Sequence, residues 1–229
     1  TIGPDGSGER QFTDVILNQR LKNSLRAINP GFTDNIYDEA LRKIARSASS
    51  DLTIDNYSFH QLLVNGIDIE TRQYDGSVRT TKIKIFDFDQ PENNEFIAVN
   101  QLTVIQDDIN RRPDIVLFIN GLPVVVIELK NAISNSASLR SAYNQIQTYK
   151  RQISGLFRFN ELVVISDGID ARLGTITAPF ERFSAWKTIN GDDIIDDAPE
   201  FETMIHGVFN KTNLLDVIKN FVVFEKDNH

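Results

Sequence analysis

The spacing of apolar residues changes along the chain, beginning with a helical period. Over residues 11–28 apolar side chains recur at roughly helical spacing, and Asn29-Pro30-Gly31 ends this predicted helix. A second helix is predicted to begin with Thr33 or Asp34 as its N-cap. It buries one stripe with a period of 3.6 residues, formed by Ile36, Tyr37, Ala40, Leu41 and Ile44. A short helical piece is predicted over residues 57–64.

From residue 67 the period becomes two, which predicts strands. Asp75-Gly76 is a hairpin turn, followed by a return strand that reaches residue 88. Residues 96–105 predict another strand. Two further strands, 114–119 and 124–130, flank the turn signal Asn120-Gly121.

After these strands the helical period returns once before the last strand. Residues 134–153 predict a helix, with Leu139, Ala142, Tyr143, Ile146, Tyr149 and Ile153 on one face. The continuous apolar run at 162–165 predicts a strand buried on both sides. Two short helices are predicted near 201–209 and 213–221. One mixed α/β domain fits this order of elements.

Composition narrows the class of protein. With 229 residues, 41% hydrophobic and 24% charged, the chain has the balance of a globular domain, which excludes disorder and fibrous repeats. The absence of cysteine excludes disulfides, thiolate zinc sites and a cysteine nucleophile. No apolar stretch approaches the roughly 18 residues of a membrane span, and the start does not read as a signal peptide. We therefore expect a cytoplasmic protein with no membrane partner.

Charge is unevenly distributed. The net charge is −8, but residues 100–160 carry 7 basic and 4 acidic groups and form the one positive third of the chain. A polyanion could be attracted there, although the whole chain should bind DNA only weakly by charge alone.

Charged residues bracket an otherwise apolar hairpin. Asp114 precedes its first strand, and Glu128 and Lys130 end its second, on one face because residues i and i+2 share a face. A two-residue loop pairs 114 with 127, whereas a three-residue loop pairs 114 with 128. The second register sets Asp114 beside Glu128 on one face and places Pro123 at a strand start, where proline is tolerated. We therefore predict an odd-length loop or a bulge, with the two acids as neighbours.

Two adjacent carboxylates suit a hard divalent cation such as Mg²⁺. The backbone carbonyl of Leu129 could add a ligand, and Lys130 could orient water and stabilise charge at a phosphorus centre. A solvated Glu–Lys pair at a sheet edge is the plain structural alternative. Apolar flanks, convergent acids and the following helix favour the metal site.

This P-D…E-x-K arrangement resembles the nuclease superfamily that includes many restriction endonucleases. The wider run is similar to the N-terminal nuclease domain of the R (motor and restriction) subunit of type I restriction-modification enzymes. The resemblance extends in order over most of residues 9–225. Its matching stretches are residues 100–104, 111–131, 142–149, 156–160, 164–168, 183–187 and 214–221.

The resemblance implies roles for particular residues. Asp114 and Glu128 would be catalytic metal ligands, with the Leu129 carbonyl as a third, and Lys130 would be the catalytic lysine. Gln145 and Tyr149 match the family's Q-x-x-x-Y element and would face the site or the DNA backbone, although Tyr149 also lies on the core stripe. Mg²⁺ would be the cofactor, with Mn²⁺ as a substitute.

The resemblance also implies an organisation. The fold would be α/β with a restriction-endonuclease-like core, a mixed central β-sheet flanked by helices, and helical N- and C-terminal flanks. We expect a disordered or added start at 1–8, a helical flank at 9–66, a nuclease core at 67–190 and a helical segment at 191–229. That last segment would lead toward an ATP-dependent motor outside this chain, which itself has no P-loop pattern.

The implied function is Mg²⁺-dependent hydrolysis of phosphodiester bonds in double-stranded DNA. Cutting would be coupled to ATP-driven translocation by the intact protein and would involve modification and specificity subunits. Two alternatives stay open: a repair nuclease or junction resolvase on the same fold, and a non-catalytic docking domain with a nuclease fold. Glu9 and Glu39 are open candidates for an additional acidic ligand, and for Glu39 a surface role is favoured.

Overall fold

A five-stranded mixed sheet lies at the centre of the fold. The computed structural model describes residues 2–3, 6–72, 75–130, 138–195 and 198–225. The strand order of the sheet is β3-β6-β7-β8-β9, with two separate two-stranded sheets, β1-β2 and β4-β5. The helices are α1 (Asn18–Ile28), α2 (Asp34–Ala45), α3 (Leu52–Asn65), α4 (Leu139–Gln152), α5 (Ser154–Phe157), α6 (Glu200–His206) and α7 (Lys211–Asn220). The strands are β1 (Ile67–Arg72), β2 (Val78–Ile83), β3 (Phe96–Asn100), β4 (Val104–Gln106), β5 (Ile109–Arg111), β6 (Ile115–Ile119), β7 (Leu122–Leu129), β8 (Leu162–Ser166) and β9 (Ala171–Gly174).

The centre of the sheet is a hairpin extended by a crossover. β6 and β7 pair antiparallel, and α4 then carries the chain back so that β8 runs parallel to β7. The carboxyl ends of β7 and β8 therefore lie at the same edge of the sheet, where α4 begins. This order confirms the predicted α/β class with its restriction-endonuclease-like core.

Each face of the sheet has its own core. On one face Val126, Val163 and Ile165 pack with the apolar stripe of α4, including Ile146 and Tyr149. On the other face residues of β7 and β8 pack with the N-terminal helices, the β1-β2 sheet and the two last helices. All five residues of β8 are buried, as predicted for a strand covered on both sides. Residues 126, 128 and 130 share the α4 face, because successive side chains of a strand point to opposite faces of the sheet.

The first predicted helix is shorter than expected because tertiary contacts hold its early residues. It begins at Asn18 rather than near Gln11. The Phe12 carbonyl accepts from the Ile105 N–H, and the Arg10 guanidinium donates to three backbone carbonyls. The segment before α1 thus contacts β4 instead of forming helical hydrogen bonds.

Two predicted strands were also too long, and one helix was too short. The strand expected over 96–105 divides after Asn100, where Gln101 has φ 52° and the chain leaves the central sheet. The return strand expected to reach residue 88 ends at Ile83, and the next N–H, of Lys84, donates to the Asn29 side chain. The helix expected over 57–64 begins five residues earlier, at Leu52, capped by Asp51.

The helix expected over 134–153 is α4, although 134–137 lie outside the described residues. Among the helices that the structure describes, none has the length and apolar character needed to cross a membrane.

Candidate functional site

The β6–β7 hairpin sets the register of the site. Its turn has two residues, Asn120 and Gly121, both with positive φ, as a type I′ turn requires. That turn pairs Ile119 with Leu122, but an irregularity between Leu117 and Phe118 shifts the pairing by one residue, so that Ile115 pairs with Ile127. The predicted bulge is therefore present, and the next pair along the hairpin is Asp114 with Glu128.

The turn itself is fixed by its surroundings. The Asn120 side chain is fully buried and hydrogen-bonds to the Glu95 N–H, the Ile85 carbonyl and the Asn94 side chain. A Cβ on Gly121 would lie 2.7 Å from the Leu17 carbonyl oxygen, so the turn approaches α1 as closely as glycine allows.

Asp114 lies between two strands, and both of its carboxylate oxygens accept hydrogen bonds. Oδ1 accepts from Nε2 of Gln101 at 2.8 Å, and Oδ2 accepts from the backbone N–H of Leu129 at 2.9 Å. Because a carboxylate oxygen has two lone-pair sites, each keeps one for a further partner. The Asp114 carboxylate is thus held in place, and each of its oxygens can still accept one more partner.

Glu128 is buried, with 1% of its surface exposed, and its two oxygens differ. Oε1 accepts from Nζ of Lys130 at 2.8 Å, whereas Oε2 has no hydrogen-bond partner among the described residues. Burial raises the pKa of Glu128 above its usual value; the Lys130 contact opposes that rise, and the neighbouring charge of Asp114 adds to it. A buried carboxylate with one oxygen unpaired is costly in the protein alone.

Lys130 connects the strand to α4. Its Nζ donates both to Glu128 and to Oε1 of Gln145, and its side chain keeps 22% of its surface exposed. Gln145 in turn donates through Nε2 to the Tyr149 hydroxyl at 2.5 Å. The structure therefore joins four of the five predicted side chains, Glu128, Lys130, Gln145 and Tyr149, by hydrogen bonds. Asp114, the fifth, lies beside Glu128 on the hairpin.

Tyr149 belongs both to the core and to the hydrogen-bond chain. Its ring is buried in the core on the α4 face, while its hydroxyl ends the hydrogen-bond chain from Lys130. Burial raises the pKa of Tyr149 to about 12, and the charges of Glu128 and Asp114 contribute to the rise. Tyr149 is therefore a neutral phenol in this network, able to donate a proton in a hydrogen bond.

The donor set fits a hard divalent cation. The oxygen ligands are the carboxylates of Asp114 and Glu128, and the Glu128 Oε2 atom lacks the partner that a cation would provide. Among the described residues no group of three or more His, Cys, Asp or Glu side chains could hold a metal. The site therefore depends on two carboxylates, and further ligands would be backbone oxygen, water or phosphate.

Glu9 and Glu39, the open candidates for an additional acidic ligand, each form an ion pair with an arginine, Arg20 and Arg42 respectively. Glu9 accepts from Arg20, and the Arg20 hydrogen bonds lower the pKa of Glu9. Glu39 accepts from Arg42 one turn along α2. The surface role favoured for Glu39 agrees with this pairing.

Two residues beside the site were given no role from the sequence. Gln101 contacts Asp114 through both its backbone and its side chain. Arg111 donates from Nε to the Gln152 side chain at 2.6 Å, and its charge acts to lower the pKa of Tyr149. Their positions beside Asp114 and the Q-x-x-x-Y helix arise from strand pairing. No sequence signal pointed to them, because Gln101 fell inside the strand predicted over 96–105 and Arg111 lay outside any predicted strand.

A second buried glutamate lies at the opposite end of the parallel strand pair. Glu161 directly precedes β8, is 1% exposed and hydrogen-bonds through Oε2 to Nδ1 of His60 at 2.8 Å. Its Oε1 atom has no hydrogen-bond partner among the described residues, and burial raises its pKa. The Phe224 ring packs 5.1 Å from the His60 ring, centroid to centroid.

Comparison of the sequence with known proteins finds a matching family model and related proteins. The family model described as the N terminus of the type I restriction enzyme R protein matches residues 2–182. The HindI endonuclease subunit of a type I restriction enzyme from Haemophilus influenzae is 38% identical over 223 residues, covering 95% of this chain and 21% of that protein. A putative type I restriction enzyme MjaIXP endonuclease subunit from Methanocaldococcus jannaschii is 26% identical over 245 residues, covering 98% of this chain and 23% of that protein.

This chain spans about a fifth of the length of the curated relatives that it matches. The match to the family model takes in the whole hairpin, the α4 helix and the strands beside them. The chain belongs to the family of type I restriction enzyme R protein N-terminal regions.

Proposed function

We propose that this chain is the Mg²⁺-dependent endonuclease domain of a type I restriction enzyme R subunit and hydrolyses phosphodiester bonds of double-stranded DNA. One observation carries the proposal. Asp114, Glu128 and Lys130 converge at the carboxyl end of β7, with a buried carboxylate oxygen of Glu128 left unpaired. The family supports the nuclease assignment.

Each residue has a distinct task in the proposed reaction. Asp114 and Glu128 supply anionic oxygens on one face of the hairpin, and the Leu129 carbonyl between them is a further proposed ligand. Lys130 places a positive charge beside both the carboxylates and the solvent, where it orients the attacking water and stabilises charge on the phosphate. When bound, Mg²⁺ supplies Lewis-acid polarisation of the scissile phosphate and a more acidic water.

Gln145 and Tyr149 are proposed to set the position of Lys130. The Gln145 amide oxygen holds Nζ, and the Tyr149 hydroxyl holds the Gln145 amide. Because Tyr149 is fixed in the core, the chain of hydrogen bonds transmits a rigid position to a lysine whose stem would otherwise be flexible. Both residues are also proposed to orient the DNA backbone at the site.

The remaining parts of the reaction belong to the proposed whole enzyme. A motor elsewhere in the R subunit would use ATP to translocate DNA, and the modification and specificity subunits would select the DNA. We expect the complex to act in the cytoplasm, where its DNA substrate lies. The net charge of −8 supports this dependence on partners, since an acidic domain gains little from the DNA polyanion by itself.

The family match favours this proposal over a repair nuclease or junction resolvase on the same fold. The non-catalytic docking domain is disfavoured for a different reason. A docking role needs neither the unpaired Glu128 oxygen nor the Lys130–Gln145–Tyr149 chain, and both cost stability or conformational freedom.

The direct test is substitution in the complete enzyme. Asp114→Ala and Lys130→Ala are each expected to abolish DNA cleavage and to leave ATP hydrolysis and translocation near normal. Asp216→Ala, at an exposed aspartate in α7, is a matched control that should cleave normally. Cleavage that persists in both site variants would show that the assignment is wrong.

A second test needs no DNA and no motor. Crystals of this chain soaked in Mn²⁺ are expected to give an anomalous peak between Asp114 and Glu128. A Mn²⁺ peak elsewhere, with none at these residues, would contradict the proposed metal site.

A further inference from the structure

The strand that precedes the site ends in an unusual conformation at Gln101. Four non-glycine residues among the described residues have positive φ: Gln101, Asp107, Asp108 and Asn120. The last three lie in two-residue hairpin turns, and Asp and Asn tolerate this region well. Gln101 is in neither class, since it follows β3 directly and glutamine has no local hydrogen bond that favours such a φ.

Both polar contacts of Gln101 go to the same residue. Its backbone N–H donates to the Asp114 carbonyl at 2.7 Å, and its side-chain Nε2 donates to Asp114 Oδ1 at 2.8 Å. The first bond continues the β3–β6 pairing, in which Asn100 pairs with Ile115. The second is added by the side chain and reaches the carboxylate itself.

The remaining surroundings of Gln101 give it no packing role. The residue is exposed, and it is absent from both hydrophobic cores. A strained backbone at an exposed position persists only where the surrounding structure imposes it, and such residues cluster at functional sites. Glycine would relieve the strain here but would have no amide to offer to Asp114.

The two donors to Asp114 come from opposite sides. Gln101 approaches from the β3 side and the Leu129 N–H from the β7 side, so the carboxylate cannot rotate without losing one bond. Carboxylates that bind metals in proteins are commonly held by such outer hydrogen bonds, whose loss costs roughly 10- to 100-fold in metal affinity or activity.

We propose that Gln101 is a positioning residue that fixes the carboxylate of Asp114 for binding a divalent cation. This inference rests on the proposed function, because it takes Asp114 to be a cation ligand. Gln101 leaves one lone pair of Oδ1 available, so it orients the carboxylate without occupying it.

The test measures Mn²⁺ binding to this chain by titration calorimetry, with thermal unfolding as a second readout. Gln101→Gly removes the amide and relieves the backbone, and Gln101→Met keeps the length and the strain but removes the donor. Both are expected to bind Mn²⁺ about 10- to 100-fold more weakly than the wild type. The Tm is expected to stay constant in the methionine variant and to stay constant or rise in the glycine variant.

Asp107→Gly is the matched backbone control, because Asp107 also has positive φ, at 49°, on a different hairpin. It should bind Mn²⁺ as the wild type does. Wild-type Mn²⁺ affinity in either Gln101 variant would overturn the positioning role.

Asp114→Ala separates this inference from the function on which it rests. If Asp114→Ala loses Mn²⁺ binding while a Gln101 variant keeps it, only the positioning role fails. If Asp114→Ala also binds Mn²⁺ as the wild type does, the proposed metal site itself fails.

Discussion

Glu128 and Glu161 are buried to the same extent at opposite ends of two parallel strands, yet their surroundings differ. Each has one oxygen paired with a basic side chain and one oxygen unpaired. Glu128 is joined by a second carboxylate, Asp114, and by a lysine that reaches solvent. Glu161 has a single histidine, itself buried and covered by Phe224.

The difference shows that burial and an unpaired oxygen do not by themselves identify a site. Burial raises the pKa of both glutamates. Of the two, only Glu128 has a second carboxylate and a partly exposed lysine beside it, and these are what the proposed metal and phosphate would require. The Glu161–His60 pair instead joins α3 to the start of β8.

The largest expected effect comes from removing the charge of Glu128. Glu128→Gln is expected to lower DNA cleavage by the complete enzyme by more than about 100-fold, because the anionic ligand is lost. With EDTA present, the same change should raise the Tm of this chain by about 2–4 °C, the shift that about 1 kcal/mol gives at this size, because a desolvated charge disappears. A variant that loses cleavage by unfolding would show a lower Tm instead.

Breaking the His60–Glu161 pair should lower stability and leave Mn²⁺ binding unchanged, the opposite of the effects expected for Glu128→Gln. His60→Ala leaves Glu161 buried without its partner, which is expected to cost about 3 kcal/mol and to lower the Tm by about 6–12 °C. Mn²⁺ affinity below the Tm should be unchanged. His206→Ala, at an exposed histidine in α6, is the control and should change neither quantity. A loss of Mn²⁺ affinity in folded His60→Ala would mean that the two ends of the sheet are coupled.

The smallest effect is the pH dependence of stability due to Glu161. Because its pKa is raised on folding, the folded chain keeps a proton that the unfolded chain has lost. Its contribution to the free energy of unfolding therefore falls as pH rises from about 4.5 through the raised pKa, by at most about 1.4 kcal/mol per pH unit. Urea titrations across this range should show a steeper fall for the wild type than for Glu161→Gln. Equal slopes would contradict the raised pKa.

Local sequence patterns predicted three elements. The Asn120-Gly121 turn signal between two apolar strands predicted the hairpin, a continuous apolar run predicted the buried strand, and a helical period predicted α4. The neighbouring positions of Asp114 and Glu128 were also predictable, since only a bulge or an odd loop puts both acids on one face. The remaining elements depended on distant contacts. The segment before α1 is held by Ile105 and Thr103, and the break at Gln101 requires a φ that no apolar pattern encodes.

The pairing of His60 with Glu161 could not be predicted from the sequence either, because it also depends on a distant contact. The two residues are 101 positions apart, and nothing in the local sequence of either specifies the other. Glu161 did carry one local signal, a charged residue directly before a wholly apolar strand. The individual roles of the five predicted site residues stay predictions until the substitutions are made.

The closed turn at Asn120-Gly121 has a consequence for how this protein can change length. Since α1 and the Asn120 hydrogen bonds hold the tip of the hairpin, an extra residue in either strand cannot be absorbed there. Any single insertion or deletion between residues 114 and 128 would carry one acid to the other face of the sheet. The hairpin can therefore accept substitutions during divergence but not changes in length. The number of residues between Asp114 and Glu128 determines whether both acids lie on the same face of the sheet.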